Sequence, residues 1–307
     1  MSVSVIIRAY NAEKYIEEAI LSVINQTYEG VIEIIVCFDE GSKTRQALEI
    51  VEQLKAKYQS KKRIFKIISH SHMSPFRALL FGLNVAEGDY IAFLDYDNVY
   101  DKNFIQNLVT SIKKGKADIA FGTTVFTDAN LNPINILNPP TKVKLKDLLI
   151  LNFIDMSSLM ISREAIKTIV DRLNSLSHRY FDWIFEDYLI ALISVKEALN
   201  IIHVNDAKYF YRIHEFNISA SAKIDDITYI MNKDRELKTF IAFHHIYRGK
   251  LDLSERINIF TAILKTFIVI LLRGLRLSLL MLILSCNITF LNIIRVKFKK
   301  KEIIKNV

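Results

Sequence analysis

Two aspartates separated by one residue close an apolar run at Tyr90-Ile91-Ala92-Phe93-Leu94-Asp95-Tyr96-Asp97-Asn98. At the end of an extended segment, side chains two residues apart project to the same side. Asp95 and Asp97 could therefore share one cation, or divide between a cation and a ligand hydroxyl. A hard divalent ion such as Mg²⁺ or Mn²⁺ suits this pair, because it takes one or two carboxylates and fills its shell with water and phosphate oxygens. Acids are common in loops, so the pair draws its meaning from the apolar strand ahead of it.

That strand belongs to a series. Short β-branched runs at Val3 to Ile7, Val31 to Phe38, Ile64 to Ile68, Tyr90 to Leu94 and Asp118 to Phe121 alternate with segments of helical period. Ile16, Ala19, Ile20, Val23 and Ile24 form one helical stripe, with Asn11 placed to cap it. Leu48, Val51 and Leu54 mark a second helix, Phe76 to Ala86 a third, and Phe104, Leu108 and Ile112 a fourth. Strand and helix in alternation predict right-handed crossovers and a largely parallel sheet. Ligands of such sheets bind beyond the carboxyl ends of the strands. The residues there are Arg8-Ala9-Tyr10-Asn11, Asp39-Glu40-Gly41-Ser42, His70-Ser71-His72 and Asp95-Tyr96-Asp97-Asn98. Polar residues also end strands and cap helices, which accounts for part of any such set.

Several classes are excluded. No G-x-G-x-x-G follows the first strand and no G-x-x-x-x-G-K-[ST] occurs, against a dinucleotide dehydrogenase and a P-loop NTPase. With 51% hydrophobic residues, 8 Gly, 4 Pro and 2 Cys, the chain folds around a core without a disulfide framework. Cys37 and Cys286 lie far apart in apolar runs, as small buried hydrophobes in a reducing compartment do. The N-terminus reads as a strand rather than a signal peptide. Nine Lys/Arg and one acid fall in 257–307, so the net charge of +8 belongs to the segment with the longest apolar runs. Basic and apolar together suit an anionic membrane surface better than nucleic acid.

Taken in order, a series of motifs resembles those of family-2 glycosyltransferases with the GT-A fold. Ser4-Val5-Ile6-Ile7-Arg8-Ala9-Tyr10-Asn11 with Ala12 to Ile16 resembles the family's opening, and Ser22 to Tyr28 the end of its first helix. Ile34 to Ser42 matches a D-[DE]-G-S segment, Ala86 to Asn98 the stretch ending in D-x-D, Phe185-Glu186-Asp187-Tyr188 the E-D motif, and Tyr211-Arg212-Ile213-His214 with Asn217 and Ser219 a Y-R-x-H segment. The resemblance covers residues 3 to 221. It implies a Rossmann-like, mostly parallel sheet flanked by helices, and a metal-dependent, inverting, hexosyltransferase-like enzyme using a nucleotide-sugar donor, with a UDP-sugar expected. Ala9, Tyr10 and Asp39 would hold the base and ribose, Asp95 the donor ribose or sugar, and Asp97 a Mn²⁺ or Mg²⁺ bridging the diphosphate. His214 would complete the metal shell or meet the diphosphate, and Arg212 would offset phosphate charge. The attacking hydroxyl needs a base: Asp187 is the first choice and Glu186 the alternative. Trp183 stands where an acceptor platform or a core residue would. The chain departs from the family pattern at Arg8, where proline is common, and at Asn98, where a third acid is frequent. Before Gly82 it has Ala78-Leu79-Leu80-Phe81, with Arg77 displaced, in place of Ala-Arg-Asn-x; His70, His72 or Arg77 would substitute.

The expected organisation is a glycosyltransferase domain at 1–221 (nucleotide-binding half 1–98, acceptor half 99–221), a helical linker at 222–256 and a membrane-associating helical tail at 257–307. Within the tail, Asn258, Thr261, Lys265, Arg273 and Arg276 share one side of a helix, with Ile259, Phe260, Ile263, Phe267, Ile270 and Leu271 on the rest. The alternative is a helical hairpin packed on the catalytic domain or a dimer partner. Leu277 to Ile294 would reach roughly 27 Å as a helix, barely the hydrocarbon thickness. The resulting expectation is a peripheral or monotopic enzyme on the cytoplasmic face of the membrane, acting on a lipid-linked saccharide in surface polysaccharide assembly. A non-catalytic saccharide-binding or scaffold protein on the same fold competes with it; a nucleic-acid partner is not expected.

Overall fold

The computed structural model describes residues 1–140, 142–176, 184–214 and 226–274. Trp183, Asn217, Ser219, Cys286, Arg276, the apolar stretch 277–294 and the basic run 295–301 lie outside the described residues.

The N-terminal part follows the strand–helix alternation: β1 (Ser2–Ala9), α1 (Ile16–Ile24), β2 (Val31–Asp39), α2 (Gln46–Tyr58), β3 (Arg63–His70), α3 (Pro75–Val85) and β4 (Tyr90–Asp95). There follow β5 (Val99–Tyr100), α4 (Phe104–Gly115), β6 (Ile119–Thr127), β7 (Pro133–Ile136), α5 (Leu145–Leu148), a 3₁₀ turn at Met156–Ser158, β8 (Leu159–Ser162), α6 (Arg163–Leu173), α7 (Glu186–Lys196), β9 (Ile201–Arg212), α8 (Asp226–Ile246) and α9 (Leu253–Gly274). Among the described residues these strands form one sheet in the order β3-β2-β1-β4-β8-β6-β9-β5, with β7 on β6. Pairing is parallel from β3 through β4. The short β8 then enters antiparallel between β4 and β6, and the second half is mixed, with β6–β9 parallel and β5–β9 antiparallel.

Strand periodicity divides the core in two. Val3, Val5 and Ile7 of β1, with Leu94 of β4, pack under Ile16, Ile20, Val23, Val51, Leu108 and Ile112 from α1, α2 and α4. Ile6, Ile91 and Phe93 face the other way, under Phe76 and Leu79 of α3, Ile166 and Ile169 of α6 and the aliphatic body of α7. Each such side chain contributes roughly 1.5–3 kcal/mol of burial. Helix α7 is apolar nearly all round, as suits a helix enclosed between sheet and other helices. On this second face the rows Ile6–Arg8 and Phe93–Asp95 end in charge, because period two carries the row past the core to the carboxyl edge.

Helix α9 packs on α8 through Ile259, Ala262, Thr266 and Ile270, and leaves Leu253, Ile257, Phe260, Leu264 and Ile268 exposed. Helix α9 is thus packed on one side and exposes an apolar stripe on the other, while the second helix of the expected tail hairpin lies outside the described residues.

Candidate active site

Asn11 does not cap α1, which begins after Tyr15 without a side-chain cap. It adopts a left-handed φ of 49°, which asparagine tolerates. Its Oδ1 accepts from the Lys43 amide at 2.8 Å and its own amide donates to Ser42 Oγ at 3.2 Å, tying the loop after β1 to the loop after β2. Between those loops Asp39 is buried; its Oδ1 accepts from the Gly41 amide at 2.8 Å, and its Oδ2 lies 2.9 Å from Nδ1 of His72. The His72 ring lies 5.0 Å from the exposed ring of Tyr10, and Ala9 is buried at the end of β1. Tyr10, Asp39 and His72 thus form one cluster, two ring side chains in contact beside a buried carboxylate. Of the three residues expected to replace the missing arginine–asparagine pair, His72 is the one whose side chain hydrogen-bonds the Asp39 carboxylate, while His70 pairs with Asp39 through the sheet. His70 is buried against Phe81 with Nδ1 on the Ser71 carbonyl, and Arg77 sits in the first turn of α3 behind its Ser74 cap.

The two aspartates of the D-x-D part company. Asp95 Oδ1 pairs with Arg8 Nη2 at 2.5 Å, and Asp95 Oδ2 is 3.4 Å from Ser157 Oγ, which donates to it. Asp97 Oδ2 lies 3.0 Å from His214 Nε2. Burial raises the Asp97 pKa, opposed by its hydrogen bond to His214. The Asp97 carboxylate would suit Mn²⁺ or Mg²⁺, and the His214 imidazole, a softer donor, would suit Mn²⁺ better than Mg²⁺. Among the described residues no group of three or more His, Cys, Asp or Glu could hold an ion. The other ligands would be diphosphate oxygens and water. The Tyr15 ring, 4.9 Å from that of His214, carries a buried hydroxyl with no hydrogen-bond partner among the described residues.

Arg212 is buried and held on every side. Its Nε donates to the Asp97 carbonyl at 2.9 Å, its Nη1 to the Ala129 carbonyl at 2.6 Å and its Nη2 to Glu18, while its guanidinium lies 4.4 Å from the Tyr15 ring centre. Its amide donates to Oδ1 of Asn98 at 3.1 Å, and Asn98 Nδ2 donates to Ser157 Oγ at 3.0 Å. Asn98 is therefore a buried spacer between β9 and the 3₁₀ turn, and both residues shape the Asp95–Asn98 loop.

Glu186 and Asp187 open α7. Glu186 is buried and pairs with Arg8 Nη1. Asp187 instead accepts from neutral donors, Asn152 Nδ2 at 3.1 Å and the Tyr188 amide at 2.7 Å. Burial, then the charges of Glu186, Asp155 and Asp95, push its pKa well above the usual carboxylate range. Helix α8 fixes this corner, since the Phe185 amide donates to Thr239 Oγ1 at 2.9 Å and Arg235 stacks on the Phe185 ring. Asp155, just ahead of the 3₁₀ turn, is a member that sequence reasoning missed. Burial and the nearby Asp95 raise its pKa to about 7, opposed by hydrogen bonds from Tyr209 and the Ser157 amide. An acid four residues before a short apolar run is a capping pattern, and Asp155 does cap the turn.

A model described as Glycosyl transferase family 2 matches residues 4–170, more than half of the chain. The chain belongs to that family. The transferase is 29% identical over 220 residues to an uncharacterized glycosyltransferase of Haemophilus influenzae, covering 71% of this chain and 82% of the relative. It is 27% identical over 219 residues to the UDP-Glc:alpha-D-GlcNAc-diphosphoundecaprenol beta-1,3-glucosyltransferase WfaP of Escherichia coli, covering 71% and 80%. In three dimensions it resembles residues 1–349 of Staphylococcus aureus TarS in complex with UDP-GlcNAc, at a TM-score of 0.55 and 17% identity over 85% of this chain and 79% of that one. That likeness shows the transferase to have the GT-A fold.

Proposed function

We propose that this transferase moves a sugar from a nucleoside diphosphate donor, a UDP-sugar, to a hydroxyl of a lipid-linked saccharide, with inversion at the anomeric carbon. The observation carrying this proposal is that Tyr10, Asp39 and His72, then Asp95, Asp97 and His214, then Glu186 and Asp187 follow one another at the carboxyl edge of the parallel strands. Tyr10 and Asp39 hold the base and ribose, and Asp95 orients the donor sugar. Asp187 takes the proton of the acceptor hydroxyl as its oxygen bonds to the anomeric carbon and the bond to the diphosphate breaks on the opposite face. A raised proton affinity suits a carboxylate to that task. Mn²⁺ or Mg²⁺ held by Asp97 and His214 would offset the charge that grows on the leaving diphosphate. Arg212 keeps the Asp97 loop in place. The acceptor class is supported by the printed substrate of the E. coli relative, and the donor class by that substrate and by the UDP-GlcNAc held in the S. aureus neighbour.

Membrane attachment on the cytoplasmic face belongs to the same proposal. The exposed stripe of α9 is flanked by exposed Arg256 and Lys265, and the sequence continues into a basic tail. Among the described residues no helix is long and apolar enough to cross a membrane.

Calorimetric titration with a panel of nucleotide sugars, with Mn²⁺ or Mg²⁺ and then with excess chelator, tests the donor and the metal together. One nucleotide should bind, and bind more weakly under chelator. A folded sample that binds none would favour a scaffold role.

A further inference from the structure

Arg8 stands inside the sheet, yet its guanidinium meets two carboxylates from distant parts of the chain. Nη2 reaches Asp95 at the end of β4, on the donor side, and Nη1 reaches Glu186, the first residue of α7, on the acceptor side. The Arg8 and Glu186 side chains are 17% and 9% exposed, so the tie is largely shielded from water. A planar guanidinium sets the separation and orientation of two carboxylates, which an ammonium, as a point charge on a flexible stem, fixes less tightly. Among the described residues, Asp187, next in sequence, accepts only from neutral donors, Asn152 Nδ2 and the Tyr188 amide of its own helix. Adjacent residues of a helix point about 100° apart, so fixing Glu186 toward the sheet fixes the rotation of the first turn and hence the direction of Asp187.

We propose that Arg8 is the positioning residue of the acceptor side: by holding Glu186 against Asp95 it makes Glu186 part of the frame and aims Asp187 at the incoming hydroxyl. This rests on the transferase reading above and separates the roles of the two adjacent acids. Arg8 touches neither reacting atom in this scheme. Its effect on the proton-accepting acid travels through Glu186, so its loss falls mainly on the rate of transfer, while Asp95 keeps its hydrogen bonds with Ser157.

The test compares Arg8→Met, Arg8→Lys, Glu186→Gln and the double variant Arg8→Met/Glu186→Gln, each checked by thermal melting. The double variant removes both charges, so it keeps the test open if Arg8→Met alone, with a buried unpaired Glu186, fails to fold. With a nucleotide sugar and its acceptor, Arg8→Met and Arg8→Lys should lower kcat about 10- to 100-fold, the order expected when a reacting group is misplaced. The donor Kd by calorimetry should weaken far less than kcat falls, and the double variant should be no slower than Glu186→Gln, as for residues acting as one unit. Full kcat in Arg8→Lys would reduce Arg8 to a mere charge, and multiplying losses or a weakened donor Kd with kcat intact would overturn the proposal. A wild-type protein that binds no nucleotide sugar would instead sink the functional reading. The crystal structure of Arg8→Met then decides alone: a rotated first turn of α7 supports the positioning role, and an unmoved Asp187 refutes it.

Discussion

Asp187 and Glu186 are neighbours in sequence with opposite surroundings, and that contrast is what the residue scale contributes. Asp187→Asn should retain donor binding and lose transfer by about 10²–10⁴-fold, the range of a removed general base, measured as kcat beside calorimetric Kd. Full turnover would exclude Asp187 as the base. Asp155 offers a pH test. Its folded pKa, about 7, lies above the ordinary value of 3.8, so between these limits the folded state binds more protons than the unfolded chain. Stability due to this group is therefore lost as pH rises through that window. Asp155→Asn, which can still accept from Tyr209, should gain stability relative to wild type between pH 5 and pH 8, by on the order of 1–3 kcal/mol in urea melts. A constant difference across the range would show that Asp155 does not titrate there. Asp39, Asp95, Asp97, Glu186, Asp187 and His214 were all legible because each sits in a short motif at a strand or helix end. Asp155 and Ser157 were not, since they belong to an irregular turn whose pattern is that of any capped turn. Arg8 was visible only as a departure; its partners come from residues 87 and 178 positions away.

At the scale of elements, the alternation up to β4 was legible because each strand is a β-branched run and each helix shows one apolar stripe. The second half was harder. Strand β8 has four residues, and β9 alternates poorly, with a register shift against β6 near Gly122. Neither gives a clean period. The close seat of α3 on the sheet also depends on one position. A Cβ at Gly82 would lie 2.7 Å from Ile6 Cγ2 and 2.9 Å from Cys37 Sγ. Gly82→Ala should push α3 away from β1 and β2 and cost about 1–3 kcal/mol, the usual penalty of overpacking, read as a lowered urea midpoint. An unchanged midpoint would mean that the helix shifts freely. The sequence divergence before Gly82 thus leaves the packing glycine in place while changing the residues around it.

For the whole molecule, α9 faces two ways, and this alters how attachment should be tested. Removing residues 257–307 would strip buried Ile259, Ala262, Thr266 and Ile270 from α8 and confound release with unfolding. Paired substitution on the exposed stripe avoids this. Phe260→Ser/Leu264→Ser should leave the melting temperature within a degree or two and lower sedimentation with anionic vesicles about fivefold or more, given roughly 1.5–3 kcal/mol per large apolar side chain. Equal sedimentation would assign attachment to the basic tail alone.

The Arg212 knot has a consequence in time. Strand β5 finds its partner, β9, about a hundred residues later, and the Asp97 end of the Asp95–Asn98 loop is completed only when Arg212 reaches Asp97, Asn98 and Glu18. Contacts so far apart close late, after local units have formed. A nascent chain that has emerged through β4 can pair its parallel strands, but the loop bearing both aspartates waits for the end of β9. Donor-binding competence should therefore appear as the last event of folding, after the first half has already gained its secondary structure.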